Sequence, residues 1–325
     1  MQINNPKSNR TNSFNTLVYN DIRFRRANEL KDNLPKFPFL VDIELTNHCN
    51  LSCIFCGQQT MSREKGFMSE QTFKQVIDEC SLRKTPIRLI RWGEPFLHPQ
   101  IIEFCKYAKS KDLLVHITNN GQMITEQQIR SLIDLNVDSI VFSFQGATKE
   151  EYRIMRNNDK YDKLAQSVQT MASMRGNSDK PYMHISTTVT NETGAQIEQF
   201  TSYWSNIVDS VGVGKTNLFR LAPSQIKSFQ SLNMLLEVQQ TSKVAKQYRP
   251  CTEVYQKLSV NWDGSVSCCC GDYDNFMTVG HLKNQTLEDI WKNSENLKIF
   301  RKLLDNKQHN TLNLCSTCYH TYDEF

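Results

Sequence analysis

At 325 residues and 39% hydrophobic, the chain can fill a barrel-sized α/β core and one small appendage. The net charge of +4 is spread with both signs along the sequence, which argues against nucleic acid or an anionic membrane as partner. Apolar runs such as Ser139–Phe144 are strand-sized, so neither a membrane-spanning helix nor a secretory leader is expected and the chain reads as cytoplasmic.

Residues 1–37 read as a polar N-terminal tail, partly disordered and briefly helical around Asp21–Lys31. Val41–Thr46 alternates and is the first predicted strand; a cysteine loop follows, and Ser69 caps a helix with Phe73, Val76 and Ile77 on one face. Ile87–Ile90 is a strand, Ile101–Ala108 a helix, and Leu113–Thr118 a strand ending at the turn Asn119-Asn120-Gly121. Thr125 with Gln128, and Thr148 with Glu151, form capping boxes on either side of the strand Asp138–Phe144. Tyr161–Met174 is helical, Tyr182–Val189 a strand, Glu192–Ile207 a helix and Val208–Val213 a sixth strand. After about residue 222 the alternation fades; Leu258–Val260 and Ser265–Ser267 flank the hairpin signal Asp263-Gly264, and Thr286–Trp291 and Leu297–Leu304 are helical.

Strands alternating with helices imply parallel, right-handed βαβ units that curl into part of a barrel, with chemistry at the C-terminal strand ends. The cysteine loop after Thr46, Trp92-Gly93-Glu94-Pro95 after Ile90, and Asn119-Asn120-Gly121 all fall at such ends.

Eight of the eleven cysteines lie in short-spaced sets, which favours metal or cluster ligands over disulfides. Cys49, Cys53 and Cys56 have the spacing C-x3-C-x2-C. Three thiolates can hold three corners of a cubane and leave one iron open, as a catalytic zinc keeps an open position. A zinc knuckle would want separated pairs or a usable histidine, whereas His48 directly precedes Cys49 and is expected to point away.

This run, with Phe55 before the last cysteine, resembles the signature of the radical S-adenosylmethionine (SAM) superfamily. The resemblance implies a partial (β/α)6 TIM-like barrel over residues 38–222, and a [4Fe-4S] cluster on Cys49, Cys53 and Cys56 whose open iron chelates SAM. It further implies reductive cleavage to a 5′-deoxyadenosyl radical that takes a hydrogen atom from substrate. Trp92-Gly93-Glu94-Pro95 is similar to the family's Gly-Gly-Glu-Pro segment, with Trp in place of the first glycine. The implied SAM-binding residues are Phe55, Gly93, Glu94, Asn119, Ser143 and Arg156. Val211-Gly212-Val213-Gly214 is wrongly spaced for a dinucleotide loop and is a candidate for close approach to adenine.

The region 223–325 resembles a linker and a small cysteine-rich SPASM/twitch domain that holds a second, auxiliary [4Fe-4S] cluster. Counting five residues from Gly264 selects Cys269, with Cys268 the runner-up; the implied ligands are Cys251, Cys269, Cys315 and Cys318. The absence of cysteine after Cys318 suggests one auxiliary cluster, and the same four thiolates would also suit zinc. Cys80 and Cys105 are read as core, and Cys270 as a candidate hydrogen-atom donor.

The expected activity is net oxidation of a small molecule such as a sugar or cyclitol, with a flavodoxin- or ferredoxin-type reductant and neither nucleic acid nor membrane as partner. Radical epimerisation and modification of a ribosomal peptide are the alternatives; the tail is too short to fold alone as a peptide-recognition domain. A non-catalytic electron-transfer module stands against these, but such carriers use four protein ligands.

Overall fold

The computed structural model describes residues 1–6, 8–30, 33–190, 192–216 and 251–318. The expected domain boundary near residue 222 lies outside them. The strands are β1 (Gln2–Asn4), β2 (Leu40–Ile43), β3 (Ile87–Leu89), β4 (Val115–Asn119), β5 (Ser139–Ser143), β6 (Tyr182–Val189), β7 (Ser210–Lys215), β8 (Lys257–Val260), β9 (Ser265–Ser267) and β10 (Thr278–His281). They form one sheet in the order β1-β7-β6-β5-β4-β3-β2-β8-β9-β10.

From β2 to β7 every neighbour is parallel, in chain order. Six parallel strands joined by helical crossovers make the partial barrel. Because side chains alternate along a strand, each strand divides its residues between two faces. One phase (Val41, Ile87, Val115, Ile140, Met183, Val211) joins the main apolar core. The helices α2 (Glu70–Ser81), α3 (Ile101–Ser110), α4 (Glu126–Asp134), α5 (Lys149–Arg156), α6 (Tyr161–Arg175) and α7 (Gly194–Trp204), which follow a four-residue helix α1 (Ile22–Arg25), cover that core with residues such as Phe73, Phe104, Leu132, Tyr152, Val168 and Trp204. The other phase is polar and faces a concavity: Arg88, His116, Ser143, His184, Ser186 and Ser210.

Local signals set the helix starts. The Ser69 hydroxyl accepts from the Thr72 amide, and Thr125 with Gln128 makes both bonds of a capping box. Thr148 caps α5 through the Glu151 amide, but the Glu151 carboxylate accepts from the Thr190 hydroxyl at 3.3 Å. Cys80 and Cys105 are buried in the core, as their apolar helix faces imply.

The first residues correct the expectation of a partly disordered tail. β1 pairs antiparallel with β7, and Asn5 Nδ2 donates to the Val208 carbonyl at 3.1 Å. Phe14, Val18 and Phe24 are buried with Leu40 in a second apolar cluster. The Phe14 ring lies 5.3 Å from that of His116, so this segment closes the end of the barrel opposite the cysteine loop. Polar composition concealed three buried side chains that only the barrel end could cover.

The C-terminal region continues the same sheet. β8 pairs parallel with β2, while β9 and β10 return antiparallel. Gly264 turns the β8–β9 hairpin at φ +87°, a conformation that favours glycine. Helices α8 (Glu253–Gln256), α9 (Leu287–Asn293) and α10 (Glu295–Asp305) pack here, and Trp291, Leu297 and Leu304 join the main core.

Candidate active site

The loop after β2 is held by its own side chains. Asn47 donates to the Glu64 carbonyl at 2.8 Å and accepts from the Gly66 amide at 2.9 Å. The Ile54 amide donates to the Met155 carbonyl at 3.0 Å, which ties the loop to α5. His48 stacks on Phe67 with ring centroids 4.8 Å apart, turned aside as its position implied.

Nine residues expected at the site (Cys49, Cys53, Cys56, Phe55, Gly93, Glu94, Asn119, Ser143 and Arg156) line one cavity of about 120 Å³ at the C-terminal strand ends. Burial raises the thiol of Cys49 to about 11 and that of Cys56 to about 12. Both are protonated in the metal-free chain, and a metal must displace the protons.

Each neighbour has a definable job. Gly93 is packed so closely that an added Cβ would stand 1.9 Å from the Thr46 carbonyl oxygen. Glu94 is fully buried, and that burial raises its carboxyl to about 7; it accepts from the amides of Asn120 at 2.7 Å and Phe96 at 3.1 Å. Arg156 is buried: it donates to the Ser143 carbonyl at 2.6 Å and to Cys53 Sγ at 3.4 Å, and lies over the Phe55 ring. The Asn119 amide is engaged by backbone, donating to the Val141 carbonyl at 2.9 Å and accepting from the Gly121 amide at 2.8 Å.

Further lining residues had no role assigned from sequence, Asn120 and Arg91 among them. Asn120 donates to Asn50 at 2.8 Å and faces Cys49 Sγ at 3.9 Å. Arg91 donates to the Cys269 carbonyl at 3.0 Å, the Asp272 carbonyl at 2.8 Å and Asn261 Oδ1 at 2.9 Å. The turn signal at Asn119-Asn120-Gly121 was visible; Arg91 carried none. Trp92 explains its own departure from glycine, since its indole donates to the Asp272 carbonyl at 2.9 Å and its ring meets Tyr273.

The cavity sets two guanidinium groups, Arg91 and Arg156, beside its thiols, which suits a negatively charged thiolate cluster. Among the described residues Arg91 Nε and Arg156 Nε are buried without a hydrogen-bond partner, beside three thiols that could hold iron.

A second thiol group lies near α8 and the chain's last turns. Burial raises the Cys251 thiol, and Cys318 and Cys315 add to the rise; burial also raises Cys268, with Cys251 and Cys315 contributing. Cys269 is half-buried, its Sγ accepting from the Gly271 amide at 3.3 Å. Among the described residues Arg301 Nη2 is buried without a hydrogen-bond partner, and the guanidinium interacts with Cys268, so this site too suits a negatively charged thiolate cluster. Among the described residues no three such side chains converge on a single-ion site. Cys270 stands apart: burial raises its thiol to about 11, it hydrogen-bonds Glu253, and it lines neither of the two cavities described here.

The radical SAM superfamily profile matches residues 43–203, and that of an iron–sulfur cluster-binding (SPASM) domain matches residues 251–319. The chain belongs to the radical SAM superfamily, in its SPASM/twitch branch. Its cofactors are accordingly a SAM-binding [4Fe-4S] cluster, an auxiliary cluster and SAM. The chain is 25% identical over 311 residues to the tungsten-containing aldehyde ferredoxin oxidoreductase cofactor-modifying protein of Pyrococcus furiosus, covering 84% of this chain and 86% of that protein. It is 21% identical over 295 residues to the SAM-dependent 2-deoxy-scyllo-inosamine dehydrogenase of Niallia circulans, covering 86% and 92%. Streptococcus suis SuiB bound to SAM superposes with a TM-score of 0.65 at 16% identity, covering 89% of this chain and 74% of SuiB. Among the described residues no helix is long and apolar enough to cross a membrane.

Proposed function

We propose that this radical SAM protein dehydrogenates a small molecule such as a sugar or cyclitol. The observation that carries the reading is the single cavity joining Cys49, Cys53 and Cys56 to Glu94 and Arg156. Similarity to a cyclitol-amine dehydrogenase supports the choice of substrate class.

In this reading Cys49, Cys53 and Cys56 hold the first cluster, and Cys251, Cys269, Cys315 and Cys318 the second. Cys268 competes with Cys269 because it is the more deeply buried of the two. When bound, the first cluster and SAM supply a hydrogen-abstracting 5′-deoxyadenosyl radical, and the second cluster supplies an acceptor for one electron. Glu94 and the Gly93 backbone receive the SAM amino group, while the Arg156 guanidinium, which lines the same cavity, supplies positive charge for the carboxylate. Phe55, Asn119 and Ser143 shape the adenosine side of the cavity. Arg91 and Trp92 hold the backbone of the Cys269–Asp272 loop against this cavity, which fixes the two cysteine regions relative to each other. The reductant is a flavodoxin- or ferredoxin-type protein, and the setting the cytoplasm.

The test is anaerobic reconstitution, reduction, and measurement of 5′-deoxyadenosine from SAM. Cleavage is expected; an intact cluster that leaves SAM uncut would sink the enzyme reading.

A further inference from the structure

A second cavity of about 300 Å³ shares a wall with the first. Ile90, Thr118 and Ser143 line both. The second lies on the concave face of the strands, and its floor is the N-terminal segment, through Asn12, Asn15 and Tyr19. That volume is at the low end for small-molecule pockets, roughly 300–1,000 Å³.

The lining specifies chemistry. Its one formal charge among the described residues is Arg88, and that charge is spent. Arg88 Nε and Nη2 donate to the two Asp42 carboxylate oxygens at 2.6 and 2.8 Å, and Nη1 donates to the Tyr19 hydroxyl at 3.0 Å. Lys257 and Glu253, paired at 3.0 Å, complete a charge-balanced quartet with Asp42 and Arg88. An anion entering here finds no unpaired cation among the described residues. An apolar guest would strand the polar wall, since among the described residues only Ile90 and Val141 of the lining are aliphatic.

Neutral donors and acceptors are instead plentiful. His184 Nδ1 pairs with the Ser210 hydroxyl at 2.7 Å, while Nε2 has no hydrogen-bond partner among the described residues. The Ser143 and Ser186 hydroxyls likewise make no side-chain hydrogen bond there. Gly212, a candidate for contact with adenine by sequence, has another use: a Cβ on it would stand 2.9 Å from His184 Nε2, so its absence makes room for the imidazole.

We infer that this cavity is the substrate pocket, that it takes an uncharged polyhydroxylated molecule (an unphosphorylated sugar or cyclitol), and that residues 12–19 form its floor. The inference rests on the radical SAM reading, because the shared wall places the guest beside the cavity assigned to SAM.

Equilibrium dialysis of the reconstituted, SAM-loaded protein tests it, with labelled myo-inositol, D-glucose and N-acetyl-D-glucosamine as probes. Glucose 6-phosphate and the tripeptide Gly-Ser-Gly serve as competitors. At least one neutral probe should be retained one per chain, and neither competitor should displace it at tenfold excess. Asn12→Leu, on the floor, and His184→Phe, on the wall, should each weaken retention at least tenfold; if melting shows that His184→Phe has not folded, Ser186→Val replaces it. Retention of none of the neutral probes, displacement by the phosphate or the peptide, or undiminished retention in the floor and wall variants overturns the inference. Failure of the parent reading is seen separately, as SAM that is never cleaved to 5′-deoxyadenosine whatever the dialysis shows.

Discussion

Gly93→Ala is the sharpest probe of how the second strand end meets the cysteine loop. A Cβ at this position would lie 1.9 Å from the Thr46 carbonyl oxygen and 2.8 Å from that of His48, and both obstacles are backbone. Ordinary contact begins at 3.4 Å, so the two segments must part by about 1.5 Å. That separation breaks the bond from the Glu94 amide to the His48 carbonyl, now 2.8 Å. Losing it costs about 1 kcal/mol and the overpacking about 1–3 kcal/mol, so the variant should be about 2–4 kcal/mol less stable. At roughly 2–4 °C per kcal/mol for a domain of this size, the melting temperature should fall by about 5–15 °C. The same shift displaces Cys49 from Glu94 and Arg156, and misplacement on the order of 1 Å costs about 100-fold in rate. Thermal melting of the metal-free chain and 5′-deoxyadenosine formation by the reconstituted protein read the two effects. A variant that melts and cleaves SAM like the parent would refute the packing argument.

Burial holds the imidazoles of His116 and His184 down at about 3 and about 4. Unfolded histidine titrates near 6.5, so unfolding takes up protons below that pH and stability falls as pH drops from 6.5 towards 4, by up to about 1.4 kcal/mol per pH unit for each ring. His116→Gln should flatten urea-unfolding free energy against pH by about that amount between roughly pH 6 and 4.5; an unchanged slope would show that His116 is not buried neutral. Phe14→Ala should destabilise the chain by about 3–5 kcal/mol, because the ring is fully buried against the barrel end. An unaltered melting curve would return the N-terminal segment to the status of a tail. In a Cys49/Cys53/Cys56 triple-alanine background about four irons per chain should remain at the auxiliary site. Adding Cys269→Ala should remove them and Cys268→Ala should not; the reverse moves the ligand to Cys268, and zinc in place of iron changes the metal.

Short-range signals carried well from sequence to structure. Ser69 and Thr125 cap their helices through groups three residues away, so neighbouring residues suffice to define them. The C-x3-C-x2-C run and the residues at three strand ends were legible for a related reason: a parallel strand delivers its C-terminal loop to the same end of the barrel each time. Glu151 shows the limit. It sits at the right spacing for a capping box, yet its carboxylate meets Thr190, a residue brought close by folding.

The cysteine run thus determined in advance where a cluster could be held and which strand ends would surround it, since ligand spacing and strand order are properties of the chain itself. Other features came only from tertiary structure. Arg91 reaches the Cys269 loop because β2 pairs with β3 on one side and β8 on the other. The polar N-terminal residues become the floor of a cavity because Phe14, Val18 and Phe24 find apolar cover at the barrel end. Arg88 has no charge to offer a ligand because Asp42, on the neighbouring strand, has already taken it. Such pairings join residues far apart in the chain, and nothing in the local sequence of either partner encodes the distance between them.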